Sequence, residues 1–441
     1  VSVRVLTQAD QDVGFKRKPA SVPLRERRVK VGRAARYNTT TSRRRATSPQ
    51  KFQQDLSNKD YEQAYLCTHP RDSDCLVPGR QRQSRHAAGA EAARMNRLSV
   101  RRMPVMHARR AAAIWCVLAV LALAVLIASL ALGSVPLTPA RVFAALLPQS
   151  SHSGVPADLA GEIVRSLRLP RALAGFACGA LLAVAGALLQ VLLRNPLAEP
   201  YVLGVSGGAA SFALFAMMAG CAWWLVDASA FAGAFVSILL VLGLARRELW
   251  RGEPQDTSPR LLLTGAVIAA GWGALITLLL TLAPDDRLRG MLFWLTGDLN
   301  AGGMPWLALA ALVVVLVAML PAAPQLNVLL RGDAAAQALG VSVMRLRLRV
   351  YLVASLAAAA AVTTGGTIGF VGLVVPHTLR LAFGNDQRML LPAAALGGGM
   401  AVMGADLVAR TVIAPAQLPV GVITALIGVP VFLWMLLRRP R

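Results

Sequence analysis

RLPRALAGFACGALLAVAGALLQVLLRNPLAEPYVLGVSGGAA, residues 168–210, contains an apolar run that ends in a polar, proline-bearing turn and restarts in a glycine-rich segment. A helix that crosses a bilayer needs about 20 mostly apolar residues, and the run up to Leu193 has that length. Its many Gly and Ala residues suit close helix packing in lipid, where small side chains let backbones approach. Pro196 and Pro200 mark the turn. The stretch therefore reads as two membrane-crossing helices joined by a tight connection.

Working outward, similar runs occupy roughly 111–132, 170–193, 203–220, 223–245, 260–283, 304–322, 347–364, 367–383, 388–409 and 418–437. The expected fold is an all-α polytopic membrane protein of about ten transmembrane helices. The weakest run is GTIGFVGLVVPHTLRLAF, 366–383, which Gly residues, Pro376, His377 and Arg380 interrupt. Such a broken helix is tolerated where protein or a cavity surrounds it. His377 is expected to satisfy backbone groups that Pro376 sets free.

Composition agrees. Of 441 residues, 56% are hydrophobic and 15% charged, with mean hydropathy +0.54. Soluble domains average about 45–50% apolar and about 25% charged residues, so a large soluble enzyme is a poor fit. No chain of Asp, Glu and His crosses a span, which argues against an ion-coupled secondary transporter. No catalytic dyad or metal cluster falls within the spans, which argues against an intramembrane enzyme. With the N-terminus inside, the inner loops carry more arginines than the outer ones, and an even number of spans puts both termini in the cytoplasm.

The net charge of +24 is uneven. Every lysine (Lys16, Lys18, Lys30, Lys51, Lys59) precedes residue 109. Residues 1–108 are basic, polar and aperiodic, and are expected to be a disordered leader outside the membrane domain of 109–441. Val1, with Met95, Met103 and Met106 just before the first apolar run, points to a start assigned too far upstream. Cys116, Cys178 and Cys221 lie in apolar runs and are expected to be small buried hydrophobes; with Cys67 and Cys75 they show no metal-type spacing.

The 168–210 string resembles the signature of the FecCD family of ABC permeases, which import ferric siderophores, haem and vitamin B12. Further resemblance follows in order: LLLTGAVIAAGWGAL (261–275), MLFWLTGDLN (291–300) and GDAAAQALGVSVMRLR (332–347). TTGGTIGFVGLVVPHTLRLAFGNDQRMLLPAAALGG (363–398) and GADLVARTVIAPAQLPVGVITALIGVPVFLWMLLRR (404–439) complete it. The resemblance covers about 111–439 and implies a vitamin B12-permease-like fold of the type II ABC importers. It implies a subunit that translocates a metal chelate across the bacterial inner membrane, with a ferric siderophore as expected cargo and vitamin B12 or haem as alternatives.

A P-loop needs GxxxxGK[ST], and no Gly-Lys pair occurs in the chain. ATP hydrolysis is therefore expected on a separate ATP-binding subunit that carries ATP and Mg; this chain would be a transport subunit without its own cofactor. The resemblance implies that Asp333, Ala334, Ala338, Leu339, Gly340 and Val341 form the loop that couples to that subunit. It implies that Arg168, Arg171 and Arg410 receive acidic residues of a periplasmic substrate-binding protein, with Arg410 also one helical turn from Asp406. Thr257 and Ser258 match the cytoplasmic gate loop, although as Ser/Thr they also suit a helix cap. A second copy of the permease completes the expected assembly, with the substrate path between copies. Glu199 and Asp298 read as structural.

Overall fold

The computed structural model describes residues 108–133, 136–146, 159–244, 257–299, 305–414 and 416–437. The basic leader lies outside them except for its last residue. The membrane domain is helical, and no strand occurs among the described residues.

The helices are α1 (Ala108–Ala131), α2 (Pro139–Leu146), α3 (Leu169–Leu192), α4 (Val205–Met218), α5 (Trp223–Leu244), α6 (Thr257–Leu282) and α7 (Asp285–Thr296). There follow α8 (Trp306–Met319), α9 (Ala323–Leu329), α10 (Asp333–Ala338), α11 (Val343–Gly365), α12 (Val371–Phe383), α13 (Gln387–Thr411) and α14 (Val420–Leu437). A π-helical turn, Ile163–Arg168, leads into α3. Six of these helices are long and apolar enough to cross a membrane; α8 and α9, bent by 64° at their junction, reach that length only as a pair; α4, α12 and α14 are shorter apolar helices. Together they reproduce the ten runs read from the sequence.

The centre of the bundle is α3, buried along nearly its whole length. Small residues make this closeness workable. A Cβ on Gly179 would overlap the carbonyl oxygen of Gly398 on α13, and one on Gly186 would overlap that of Gly372 on α12. Cys178 Sγ donates to Ala361 O on α11 at 3.3 Å. α3 is thus clasped by three later helices, and a larger residue at either glycine would push them apart.

Two expectations are corrected. Cys178 is buried, but Cys116 and Cys221 are exposed, because α1 turns much of its surface outward and Cys221 falls in the α4–α5 connection. The interruption in 366–383 lies upstream of Pro376: residues 366–370 are non-helical, and α12 then runs unbroken through the proline. A proline removes the hydrogen bond to the carbonyl four residues back, here Gly372. Gln190 Nε2, from α3, donates to Gly372 O at 3.5 Å and to Leu373 O at 3.3 Å. Gln190, not His377, serves the freed carbonyl; His377 Nδ1 is buried without a partner among the described residues.

Candidate functional site

At the end of the bundle where α3 terminates, Asp333 opens the six-residue helix α10. Asp333 is 4% exposed, and two arginines share its carboxylate. Arg194, just past α3, pairs with Oδ1, and Arg347, in the first turns of α11, donates to Oδ2 at 2.6 Å. Asp333 therefore faces inward and fixes α10 against two spans. The rest of the loop faces outward: Ala334, Ala338 and Gly340 are exposed, Val341 is half-buried, and Leu339 is 65% exposed. A bare leucine beside a small-residue helical face is a surface suited to a groove on another protein.

Arg194 also opens the turn to α4. Its φ is +48°, and the only other non-glycine residue with positive φ among the described residues is Phe370 (+68°), in the 366–370 break. The turn and the break interlock. Phe370 N donates to Glu199 Oε1 at 2.8 Å, and Ile368 N donates to the Tyr201 hydroxyl at 2.9 Å. Burial pushes the Glu199 carboxyl above its ordinary pKa, with the Phe370 N–H acting in the opposite sense. Burial also holds the Tyr201 phenol well above its usual value. Both side-chain oxygens accept backbone N–H groups of the break just before α12.

Beside the break lies an open recess of about 300 Å³, lined by Tyr201, Ser206, Gly207, Ala210, Ile276, Leu295, Thr367 and Gly369. Its walls are glycine, alanine, hydroxyl and aliphatic groups, and none of the lining side chains carries a charge. α6 passes over it, held at mid-length by Trp272: Nε1 donates to Ser237 Oγ at 3.2 Å, and the ring meets Phe212 edge-on at 6.2 Å. Ser237 in turn donates to Gly204 O at 2.8 Å. Among the described residues, no group of three or more His, Cys, Asp or Glu is placed to hold a metal ion.

At the opposite end of α3, the three outer arginines converge. Arg171 pairs with Asp406 Oδ1 at 2.8 Å and donates to Gln417 Oε1 at 2.7 Å. Arg410 approaches Asp406 Oδ2 at 3.3 Å across one helical turn and donates to Ser129 Oγ at 2.7 Å. Arg168 is 6% exposed and donates to Leu130 O at 2.7 Å, closing the end of α1. All three are already engaged within the chain, and Asp406, 1% exposed, is shared by Arg171 and Arg410. Thr257 and Ser258 form the first turn of α6; their side chains lie outside the described residues.

The residues that the resemblance marks as coupling loop and docking arginines are organised by groups it does not mark. Arg194 lies far from Asp333 in sequence and Arg347 on another element, and only the fold brings them to its carboxylate. Tyr201 and Gln190 sat unremarked in the quoted string.

The model of the FecCD transport family matches residues 121–438 of this chain. The vitamin B12 import system permease protein BtuC of Vibrio cholerae is 41% identical over 292 residues, 64% of this chain and 85% of that protein. The hemin transport system permease protein HmuU of Yersinia pestis is 38% identical over 299 residues, 64% of this chain and 85% of that protein. A solved structure described as an inward-facing conformation of a metal-chelate type ABC transporter superposes with TM-score 0.64 at 29% identity, covering 74% of this chain and 99% of its own.

Proposed function

The chain belongs to the FecCD transport family, and on that footing we propose that it is the membrane permease subunit of a binding-protein-dependent ABC importer for a metal chelate. The observation that carries the reading is the α10 loop: a short helix locked from behind by Asp333, with Leu339 and small residues turned outward. That is the form a docking element takes when a separate ATPase must push on the bundle. In this reading α10 and both termini are cytoplasmic, the Arg171–Asp406–Arg410 end faces the periplasm, and the membrane is the bacterial inner membrane. Thr257 and Ser258 would belong to the cytoplasmic gate. ATP and Mg reside on the partner subunit.

The cargo is a chelate whose metal is already wrapped, since the uncharged recess offers hydrogen bonds and apolar contact rather than metal ligands. A ferric siderophore is the first reading. Vitamin B12 is the second, favoured by the relative at 41% identity, and haem follows from HmuU. The Arg171–Asp406–Arg410 cluster sets one carboxylate between two guanidiniums and so keeps net positive charge, and Arg171, the more exposed of the two arginines, would be where acidic residues of a substrate-binding protein meet it. Two copies of the permease would enclose the path, and ATP-driven motion of the coupling helices would alternate access between the two sides.

The test is reconstitution in proteoliposomes with the cognate ATP-binding subunit and binding protein. ATP-dependent accumulation of a ferric hydroxamate, haemin or cyanocobalamin is expected; accumulation driven by an ion gradient without ATP would overturn the reading. Leu339→Glu should abolish co-purification of the ATP-binding subunit while leaving the thermal unfolding of the permease unchanged, because Leu339 is exposed.

A further inference from the structure

We propose that Arg194 and Glu199 are positioning residues of a short mechanical relay that joins the coupling helix α10 to the non-helical break before α12. The proposal rests on the reading of α10 as the site where an ATPase acts. Its parts are contiguous. Asp333, at the start of α10, is held by Arg194. Arg194 begins the turn that Ala198 N closes onto Asn195 O at 3.1 Å and Leu197 N onto Asn195 Oδ1 at 3.0 Å. The far side of that turn grips the break, through Glu199 on Phe370 N and Tyr201 on Ile368 N. Pro200 seals the contact: a Cβ on Gly372 would lie 2.6 Å from its Cδ.

The physical argument has three steps. First, the turn is hydrogen-bonded internally and packed at both ends, so a displacement of α10 is passed on rather than absorbed. Second, Arg194 at the start of the turn and Phe370 in the break that the turn grips are the two non-glycine residues held at positive φ among the described residues. Such conformations are strained for a residue with a side chain and persist only where surrounding contacts impose them. Both are held by the contacts of the relay and are free to relax where those contacts open. Third, the gripped break contributes Thr367 and Gly369 to the wall of the recess. A push on α10 therefore arrives at the surface where cargo would pass.

The experiment uses the assembled transporter in nanodiscs, in a cysteine-free background carrying Thr367→Cys, and follows the rate of labelling by a water-soluble maleimide. With Arg194 intact, trapping with ATP and vanadate should change that rate several-fold. Arg194→Ala should continue to hydrolyse ATP yet lose the change, and Arg194→Lys should regain it. Glu199→Ala, at the other end of the relay and remote from the ATPase contact, should behave like Arg194→Ala and serves as the second probe if that variant assembles poorly. A several-fold response that survives in Arg194→Ala or Glu199→Ala overturns the relay alone. A transporter with Arg194 intact that neither binds an ATPase nor responds to ATP overturns the parent reading, and the relay with it.

Discussion

Asp406 is shared by two arginines that arrive from different places in the chain, Arg171 from α3 and Arg410 from its own helix. Removing one partner of a buried ion pair leaves uncompensated charge and costs on the order of 3–5 kcal/mol. Arg171 keeps Gln417 and Arg410 keeps Ser129, so Asp406→Ala should fall at the lower end, with a clear drop in melting temperature by fluorescence-detected unfolding. Asp406→Asn should lose less. A second residue-scale prediction concerns Glu199, whose pKa is raised by burial. A raised carboxyl pKa means the folded state holds the proton more tightly, so that contribution to stability is present at low pH and is lost as pH rises through the folded value. The melting temperature of the unsubstituted protein should therefore fall across that window relative to Glu199→Gln, which keeps an acceptor for Phe370 N–H and cannot titrate. Glu199→Ala leaves that N–H unpaired, a loss of about 1–3 kcal/mol. The sequence showed the charges at these places but not their partners. Arg171 and Asp406 are separated by 235 residues, and no periodicity links them.

Helix packing around α3 depends on the absence of side chains at a few points. Gly186→Ala would drive a methyl group into the Gly372 carbonyl, and overpacking of this kind costs about 1–3 kcal/mol. Gly243, near the end of α5, has open space where its Cβ would be, so Gly243→Ala should leave the melting temperature unchanged or slightly higher. The pair separates close packing from general glycine effects in one unfolding assay. The elements themselves were readable because hydropathy registers any segment that must lie in lipid. What hydropathy does not register is how a defect is repaired. Pro376 looked like the break because proline removes a helical hydrogen bond, yet Gln190, nearly two hundred residues earlier, serves the carbonyl it frees. The real interruption at 366–370 is set by the turn at 199–201, a tertiary contact that local propensity does not encode.

At the scale of the whole molecule, the most exposed long helices are α1 and α6, and their surfaces differ. α1 shows Val117, Val120, Leu121 and Leu123, large side chains suited to lipid. α6 shows two faces. One carries Val267, Leu275, Leu278 and Leu282. The other, at helical spacing, carries Ala266, Ala270, Gly273, Thr277 and Thr281, all exposed. Acyl chains gain little from a surface of alanine, glycine and threonine, whereas a second helix can approach it closely. That stripe is continuous with Ile276, which lines the recess, so a second copy facing it would enclose the recess between the two chains. The proposed homodimer therefore makes a positional prediction. In a cysteine-free background, Ala270→Cys should give a disulfide- or bismaleimide-linked dimer in native membranes, seen as a doubled mass on denaturing gels. Val120→Cys on α1, equally exposed in the single chain but facing lipid, should not. Cross-linking at Val120 and not at Ala270 would place the second copy on the wrong side of the bundle and leave the recess open to lipid, which a path for a polar chelate could not be.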